Sequence, residues 1–510
     1  MLDPSSTATS APSSALPVTG EKLSGVRVRF PPSPTGDPHV GMVRSALFNY
    51  AFARHHGGTF VFRIEDTDAA RNTEASYQAL LDTMRWMGFD WDEGPETGGS
   101  YGPYRQSQRK DIYADIAGKL RAGGYAYPCY CTQDELDAAR EKATAEKRAP
   151  GYEGTCRDLT AEQAAAHEAA GRTSVLRFRM PDETITWTDM VRGDISFAPA
   201  NVPDFVLVRA DGSPLYTLVN PIDDALMRIT HVLRGEDLLS STPRQIPLHK
   251  ALIELGLSET VPVFGHLPYV MGEGNKKLSK RDPEASFSYY VKQGYLPEGL
   301  LNYLSLLGWS PGGDVEFFSP EEMYAAFDGT RINANAARFD LRKCQAINGD
   351  HVRALTPEDL ASRLVPFLAA EGLITSPPSA EDAAVLAAAV PLIQSRMVVL
   401  SESVAMIGFL YVPEHTFAVD PDDAAKTLGE DAKPVLRAAA KALEELPEWT
   451  TAAIDAALRT ALIEELGLKP KKAFTPVRVA VTGRQISPPL FESIELLGRE
   501  RTLRRLRAQL

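Results

Sequence analysis

The feature that most limits the possible folds is a strand, helix, strand pattern near the start of the chain. Residues 26–30 form a short β-branched and aromatic run that ends at a proline-rich turn. Apolar residues then recur at helical spacing over residues 43–55, and Gly57 and Gly58 end that pattern. Residues 59–64 predict a second strand. Two strands joined through one helix lie parallel, with a ligand crevice at the ends of the strands, so a Rossmann-type parallel sheet is expected.

The remainder of the chain predicts further domains. A chain of 510 residues is too long for one hydrophobic core. Residues 205–209 and 215–219 flank Asp211 and Gly212, a hairpin pattern inside a segment inserted between two halves of the parallel-sheet domain. Beyond about residue 350, stretches rich in Ala, Leu and Glu, such as residues 424–446, predict an all-helical region.

Several classes of protein are excluded. The sequence has no apolar run of the roughly 18 residues that a membrane-spanning helix requires. The first two dozen residues are rich in Ser, Thr, Ala and Pro and have no basic residue before Lys22, which predicts a disordered tail and neither a secretory nor a transit peptide. Four cysteines do not suit a disulfide framework, so a reducing cytoplasm is expected.

The charge balance leaves a nucleic-acid partner open. The net charge of −13 by itself argues against one, because phosphate binding depends on Lys and Arg. Local clusters matter more than the sum, and basic residues gather at residues 469–472 and at the end of the chain. A solvated basic helix face is the alternative for the terminal cluster. That cluster consists of Arg499, Arg501, Arg504, Arg505 and Arg507.

Two segments have the chemistry to handle phosphates. Residues 32–42 lie where a strand gives way to a helix, whose free N–H groups and dipole suit an anion, and they include His39 and Gly41. Residues 276–281 carry clustered lysines behind glycines, and such a loop can neutralise charge on a triphosphate. Each segment alone is weak evidence, since a rigid turn with a capping histidine and a solvated lysine run would look the same.

Together, in this order and spacing, the two segments resemble the paired signatures of class I aminoacyl-tRNA synthetases, usually His-Ile-Gly-His and Lys-Met-Ser-Lys-Ser. Met42 replaces the last residue of the first signature, and Leu278 and Arg281 depart from the second, as is usual in the glutamate branch. The wider context resembles the bacterial glutamyl-tRNA synthetases over nearly the whole chain after the tail. The matching stretches are residues 29–41, 62–68, 102–107, 234–237 and 277–281.

The resemblance implies an α/β fold in which a Rossmann-type parallel-sheet catalytic domain carries an α+β insertion and is followed by an all-helical C-terminal anticodon-binding region. We expect seven segments. They are a disordered tail (1–24), the first half of the catalytic domain (25–104), the acceptor-binding insertion (105–219), the second half of the catalytic domain (220–275), a stem-contact domain (276–360) and two helical anticodon-binding domains (361–412 and 413–510).

The resemblance also implies an activity. The enzyme would activate L-glutamate with ATP to glutamyl-adenylate, with Mg²⁺ on the phosphates, and transfer the glutamyl group to the 3′ end of tRNA(Glu). It implies a monomeric cytoplasmic protein with no membrane partner. No protein nucleophile is needed, so catalysis would consist of positioning and charge stabilisation.

The family's substrate residues fall on defined positions of this chain. A substrate with two carboxylates and an ammonium suits arginine forks and a carboxylate, and the chain offers both. The implied catalytic residues are His39, Lys277 and Lys280. The implied glutamate-binding residues are Arg29, Pro31, Ser33, Glu65, Tyr216, Asn220 and Arg234, and the implied ATP-binding residues are His39, Gly41, Asp237, Val270, Lys277 and Lys280.

A zinc site and an anticodon contact are also implied. Cys129, Cys131, Tyr152 and Cys156 resemble a structural zinc site found in some members of the family, with Tyr152 or Asp158 as the fourth ligand. Three free cysteines are the alternative. The isolated Cys344 is expected in a core. Arg396 stands where discriminating members place an arginine against the last anticodon base, although a solvated helix arginine is the other interpretation.

Four other functions are alternatives to this one. Glutaminyl-tRNA synthetases share the catalytic fold but resemble a β-barrel in the anticodon region, whereas this C-terminal region reads as helical. An enzyme that also charges tRNA(Gln) with glutamate fits the same motifs. A small-molecule adenylyltransferase would not need the second lysine segment, and a non-catalytic RNA-binding protein would need neither signature.

Overall fold

The computed structural model describes residues 22–68, 71–148, 151–272, 276–278 and 282–510. Nearly all of the predicted disordered tail and Lys280 lie outside the described residues. The chain divides into two compact units. The first comprises Met1–Ser288 and Leu301–Asp340, and the second comprises Tyr289–Leu300 and Leu341–Leu510.

The strands of the described residues all belong to the first unit. They are β1 (Arg27–Phe30), β2 (Thr59–Phe62), β3 (Ala126–Cys129), β4 (Val175–Phe178), β5 (Ile185–Asp189), β6 (Gly193–Phe197), β7 (Phe205–Val208), β8 (His231–Gly235), β9 (Val263–Leu267), β10 (Val270–Met271) and β11 (Ala337–Arg338).

The helices fall in both units. Those before residue 289 are α1 (Val40–His56), α2 (Glu74–Trp86), α3 (Lys110–Ala122), α4 (Gln133–Ala145), α5 (Ala161–Ala169), α6 (Tyr216–Leu226) and α7 (Thr242–Glu254). The division of the chain runs through α8 (Phe287–Gln293) and α9 (Pro297–Leu306), and α10 (Pro320–Ala326) belongs to the first unit. The second unit continues with α11 (Leu341–Ala354), α12 (Pro357–Ala370), α13 (Ala380–Ile393), α14 (Glu402–Ile407), α15 (Pro421–Thr427), α16 (Lys433–Glu444), α17 (Thr451–Arg459), α18 (Pro470–Thr482), α19 (Leu490–Leu497) and α20 (Arg499–Arg507).

The predicted strand, helix, strand unit is confirmed. β1 and β2 pair in parallel, with Arg27 opposite Thr59, and α1 connects them. His39 caps α1, because its Nδ1 accepts the backbone N–H of Gly41 at 3.0 Å. The helix ends at Gly57, whose φ of 63° places it in the left-handed region that glycine adopts without strain.

A second parallel pair completes the crevice. β8 and β9 pair with Arg234 opposite His266, and the N–H of Thr230, just before β8, donates to the carbonyl of Arg27 at 2.9 Å. β8 therefore runs alongside β1. The ends of these strands bring Arg29 and Arg234 to the same edge, where a parallel sheet binds its ligands.

The predicted hairpin is half right. The turn at Asp211 and Gly212 is present, since the N–H of Arg209 donates to the carbonyl of Ser213 at 2.9 Å. The second predicted strand is wrong, because residues 216–226 form α6. Leu218, Val219 and Ile222 recur at helical spacing on its buried face and pack into the core. The inserted segment instead contains the antiparallel sheet β3–β4–β7 and the hairpin β5–β6.

The second unit is helical, as the sequence predicts. Its core is built from the apolar faces of α12, α13, α16, α17, α18, α19 and α20. Cys344 is buried in α11, also as predicted. Among all the described helices, none combines the length and the apolar character that crossing a bilayer requires.

The terminal arginines have partners within the second unit. Arg501 and Arg505 both pair with Glu414, at 2.7 Å each, and Arg505 is 2% exposed. Arg504 pairs with Glu500 and Arg507 with Glu444, both at 2.6 Å. Arg501, Arg505 and Arg507 therefore tie α20 to the rest of the unit, and the three carboxylates offset part of the positive charge of the cluster.

Candidate active site

A cavity of about 610 Å³ lies at the ends of β1 and β8. It gathers residues from β1, the turn before α1, α1 itself, the segment after β2, the start of α6, β8 and the segments after β8 and β9. Ten residues singled out in the sequence line it. They are Arg29, Pro31, His39, Gly41, Glu65, Tyr216, Arg234, Asp237, Val270 and Lys277.

Three of the singled-out residues are not in this lining. Asn220 lies behind it and donates from Nδ2 to Oε1 of Glu65 at 2.5 Å. Ser33 is exposed in the turn before α1 and does not line the cavity. Lys280 lies outside the described residues.

The two phosphate-handling segments meet at this cavity although they lie more than 200 residues apart. The first places His39 and Gly41 at the start of α1, where helix N–H groups point outward. In the second, Lys277 bridges back to Met271 in antiparallel fashion and the N–H of Leu278 donates to the carbonyl of Val270 at 3.1 Å. The Nζ atom of Lys277 lies 4.3 Å from the ring centroid of Tyr269. The fold-back holds Lys277 against the cavity wall.

A buried ion network supports the cavity from below. Arg29 donates from Nε to Asp224 at 3.1 Å, and Arg63 donates to the same Oδ1 at 2.8 Å. Arg109 pairs with the neighbouring Asp223 at 2.7 Å. Burial opposes ionisation of Asp224, but Arg29 and Arg63 outweigh it and lower the pKa of this carboxyl. The sequence analysis missed Asp223 and Asp224, which lie inside α6 more than 100 residues from their partners.

Glu65 is an acceptor in the wall of the cavity. Its Oε1 accepts a hydrogen bond from Nδ2 of Asn220, and Nη2 of Arg63 lies 3.4 Å from the same oxygen. Burial raises the pKa of Glu65, with Arg63 and Arg29 acting in the opposite direction. A carboxylate in such surroundings gains from an incoming ammonium group, which would compensate its desolvation.

Arg234 is a buried cation whose partners are neutral. It is 4% exposed, and its guanidinium donates to Nε2 of His266 at 3.2 Å and to Oγ1 of Thr242 at 2.7 Å, with further contacts to Tyr216 and to a carbonyl. Within the described part of the chain, no carboxylate lies within ion-pair distance of it. A buried charge without a counter-charge is costly, so the site favours an anion beside Arg234.

Arg44 adds a second cation of this kind. Its guanidinium donates to the carbonyl oxygens of Leu307, at 2.8 Å, and Pro268. Burial lowers its pKa to about 10, with Glu236 acting in the opposite direction. The lining then holds four basic side chains, Arg29, Arg44, Arg234 and Lys277, against two acidic ones, Glu65 and Asp237. The excess suits a ligand set with several negative charges.

A larger cavity of about 1070 Å³ adjoins the first through Tyr216, which lines both. Thr67, Asp68 and Arg71, which follow β2, and residues of the inserted segment line it together. Basic side chains contribute from both sides, namely Arg71, Lys110, Arg121 and Arg209, together with the acidic Asp68, Asp111 and Asp211. A polyanion entering here would reach the first cavity at Tyr216.

The three clustered cysteines lie together in the inserted segment. The Sγ atoms of Cys129, Cys131 and Cys156 lie within 4.8 Å of one another. The hydroxyl oxygen of Tyr152 accepts from the thiol of Cys129 at 3.5 Å and from the N–H of Cys156 at 2.7 Å. Asp158 points elsewhere, to Arg179 at 2.8 Å, with 82% of its side chain exposed. The three thiols are close enough together to hold a zinc ion, the phenol of Tyr152 lies beside Cys129, and Asp158 points away.

Arg396 is exposed in the second unit. Its guanidinium donates to the carbonyl of Ser487 at 3.2 Å. Burial lowers the pKa of Arg478, and the charge of Arg396 lowers it further. Two arginines therefore stand close together at this surface.

Comparisons with known proteins match two successive parts of the chain to known domains. Residues 25–346 match the catalytic domain of class I tRNA synthetases for Glu and Gln, and residues 359–510 match an anticodon binding domain. A curated glutamate–tRNA ligase of Nocardioides sp. is 60% identical to this chain, over 95% of this chain and 98% of the relative. One of Saccharopolyspora erythraea is 59% identical, over 96% of this chain and 99% of the relative. A crystal structure of a glutamate tRNA ligase from Elizabethkingia meningosepticum, in complex with its amino acid, aligns with a TM-score of 0.81 at 32% identity over 96% of this chain and 99% of that one. The chain belongs to the glutamate–tRNA ligase family of class I tRNA synthetases.

Proposed function

We propose that this protein activates L-glutamate with ATP and transfers the glutamyl group to the 3′ end of tRNA(Glu). The observation that carries the proposal is Arg234, a buried guanidinium with neutral partners in the wall of a cavity that two phosphate-handling segments also line. Such a site suits one anionic group beside Arg234 and phosphates between the two segments. Glutamate and ATP together meet this requirement.

The glutamate subsite follows from the charges. Arg234 takes the side-chain carboxylate through its Nη1 group, with the hydroxyl of Tyr216 beside it. Glu65, held by Asn220, takes the ammonium. Arg29 and Pro31 complete the set, whereas Ser33, which the resemblance also implies, does not line the cavity. Glutamine has no charge for Arg234, so the buried guanidinium would keep only neutral partners, which favours glutamate over glutamine.

The ATP subsite lies between the two segments. His39, Gly41, Asp237 and Val270 would surround the nucleotide, and Lys277 would neutralise phosphate charge, as the resemblance also implies for Lys280. Mg²⁺ would bind the phosphates. Because His39 Nδ1 accepts the N–H of Gly41, its neutral form carries the ring proton on Nε2, the atom that would donate to a phosphate oxygen.

The reaction has two displacements. An oxygen of the substrate α-carboxylate attacks the α-phosphorus of ATP, the new P–O bond forms, and the bond to pyrophosphate breaks. The terminal ribose hydroxyl of the RNA then attacks the carbonyl carbon of glutamyl-adenylate, loses its proton and releases AMP. The protein positions the reactants and stabilises charge.

The tRNA would contact several parts of the chain. We propose that the acceptor end enters the larger cavity, where basic side chains from the catalytic half and from the insertion lie on either side. Zinc on Cys129, Cys131, Cys156 and Tyr152 would fix the geometry of the insertion. Arg396, together with Arg478, would read the anticodon in the helical region. We further propose that residues 276–360 contact the stem and that the enzyme is monomeric and cytoplasmic, as the family resemblance implies.

Isotope exchange between ATP and pyrophosphate tests this function. With tRNA(Glu) present, exchange should depend on L-glutamate, and L-glutamine should not replace it. Substitution Lys277→Ala should lower the exchange rate by about 10²-fold, the usual effect of losing one such stabilising contact. Exchange that ignores glutamate, or that proceeds equally with glutamine, would refute the proposal.

A further inference from the structure

The orientation of Arg234 depends on its neighbour across the parallel pair β8–β9. Arg234 and His266 lie directly opposite each other in the register. Nε of Arg234 donates to Nε2 of His266 at 3.2 Å. Since a guanidinium is only a donor, Nε2 of His266 must be an acceptor, and the ring proton must therefore be on Nδ1.

Asp189, at the end of β5, enforces that proton position. Its Oδ2 lies 2.5 Å from Nδ1 of His266. Its Oδ1 accepts the backbone N–H groups of Val191, Arg192 and His266 at 3.0–3.1 Å. The carboxylate faces donors on every side. These donors favour the ionised carboxylate, which can only accept, so His266 must donate from Nδ1.

The other contacts of His266 agree with a neutral ring. Thr242 accepts from Arg234 at 2.7 Å, and its hydroxyl lies 3.0 Å from Nε2 of His266, so with the ring proton on Nδ1 the hydroxyl can donate to Nε2 beside Arg234. The ring is wholly buried and stacks on Phe264 with a centroid distance of 6.3 Å. Burial lowers the pKa of His266, and Asp189 opposes this only in part.

Asp189 belongs to the inserted segment, not to the parallel sheet. The β5–β6 turn is anchored to the catalytic strands, because the N–H of Met190 donates to the carbonyl of Phe264 at 2.8 Å and Arg192 pairs with Glu236. The insertion thereby supplies one carboxylate to the support of the glutamate subsite.

We propose that Asp189 and His266 are a positioning pair that fixes the guanidinium of Arg234 for the substrate's side-chain carboxylate. This rests on the proposed function, in which Arg234 takes that carboxylate. Neither residue lines the cavity, so both act through Arg234. If the ring proton moved to Nε2, two donors would face each other and Arg234 would have to turn away.

The substitution Asp189→Asn produces that change with little loss of volume. The amide oxygen can keep the three backbone N–H groups, and its NH₂ group then faces Nδ1 and forces the proton to Nε2. A matched control is Asp204→Asn. Asp204 is also a buried carboxylate of the inserted segment, accepting the N–H of Met180 at 2.8 Å, and it does not contact Arg234.

The test measures charging of tRNA(Glu) by the full-length protein. For Asp189→Asn we expect the KM for glutamate to rise about tenfold or more, the effect of misaligning a charged hydrogen bond, with the KM for ATP within about twofold. Asp204→Asn should leave the KM for glutamate unchanged. An unaltered KM for glutamate in Asp189→Asn would overturn the proposed positioning role. A parallel rise of the KM values for glutamate and ATP in both variants would also overturn it. Absence of charging by the unsubstituted protein would instead refute the proposed function.

A spectroscopic measurement covers the case in which Asp189→Asn fails to fold. With ¹⁵N-labelled histidine, the His266 signal, assigned by its loss in His266→Gln, should report the Nδ1–H tautomer in the unsubstituted protein at neutral pH. An Nε2–H tautomer or an imidazolium would overturn the proposal.

Discussion

Arg29 and Asp224 form an ion pair at 3.1 Å in which both side chains are almost wholly excluded from solvent. The same Oδ1 of Asp224 also receives Arg63 at 2.8 Å, so one carboxylate holds two guanidinium groups. Arg29 lines the cavity while Asp224 lies behind it. The stability of the sheet and the shape of the glutamate subsite therefore depend on the same side chain.

Asp224→Asn should destabilise the protein strongly. Two buried guanidinium groups would lose their shared charge, a change that typically costs about 3–5 kcal/mol. The matched substitution Asp90→Asn breaks the pair with Arg54, where Asp90 is 78% exposed, and should cost less than about 1 kcal/mol. Urea unfolding of both variants checks this difference. Equal effects would mean that the buried network contributes no more than a surface pair.

Arg234→Lys should weaken glutamate binding. Lysine keeps the charge but cannot donate to His266, Thr242 and the substrate from one rigid plane. We expect the KM for glutamate in tRNA charging to rise by roughly tenfold to a hundredfold, as for one lost charged hydrogen bond. The control Arg85→Lys changes an exposed arginine of α2 and should leave that value unaltered. A normal glutamate KM in Arg234→Lys would remove Arg234 from the subsite.

Stability should fall in acid through His249. Burial lowers the pKa of His249 to about 4, with nearby Arg234 and Arg29 adding to the effect and Asp224 opposing it. The unfolded chain has the ordinary pKa of about 6.5 and binds the proton first, so folding stability is full above that pH. It should decline by about 3 kcal/mol between pH 6.5 and 4. His249→Gln removes this contribution, so its unfolding free energy should fall less steeply over this range, and an identical slope would contradict the account.

The cysteine cluster should hold zinc. Protein purified without added metal should contain about one zinc ion per chain by elemental analysis. Cys156→Ser should lose it, and Tyr152→Phe should retain it less well if the phenol is the fourth ligand. Asp158→Asn and Cys344→Ser are the controls, because Asp158 is paired with Arg179 and Cys344 is buried in α11. Metal-free protein with all four side chains intact would refute the site.

Much of the fold could be predicted from local patterns. The β1–α1–β2 unit and the helical second unit are regular stretches whose apolar period is visible in the sequence. The second strand of the hairpin was predicted wrongly, because the run from Leu215 to Val219 is β-branched in part, whereas its burial follows the helical period of α6. Tertiary packing decided between the two.

The site was predictable only where a motif carries it. His39, Gly41 and Lys277 stand in recognisable segments, and the structure brings them to one cavity. Asp189, Asp223 and Asp224 stand in no motif, and their partners are 77 to 195 residues away. Ion pairs between distant residues leave no periodic signal, so these supporting carboxylates become visible only once the chain has folded.

The most direct test of the central claim is the charging of purified tRNA(Glu) by the full-length protein with radiolabelled amino acid, ATP and Mg²⁺. The account predicts that glutamate is attached to the RNA, that glutamine is not, and that Lys277→Ala slows the attachment of glutamate. Attachment of glutamine in preference to glutamate, or no attachment of either, would contradict it.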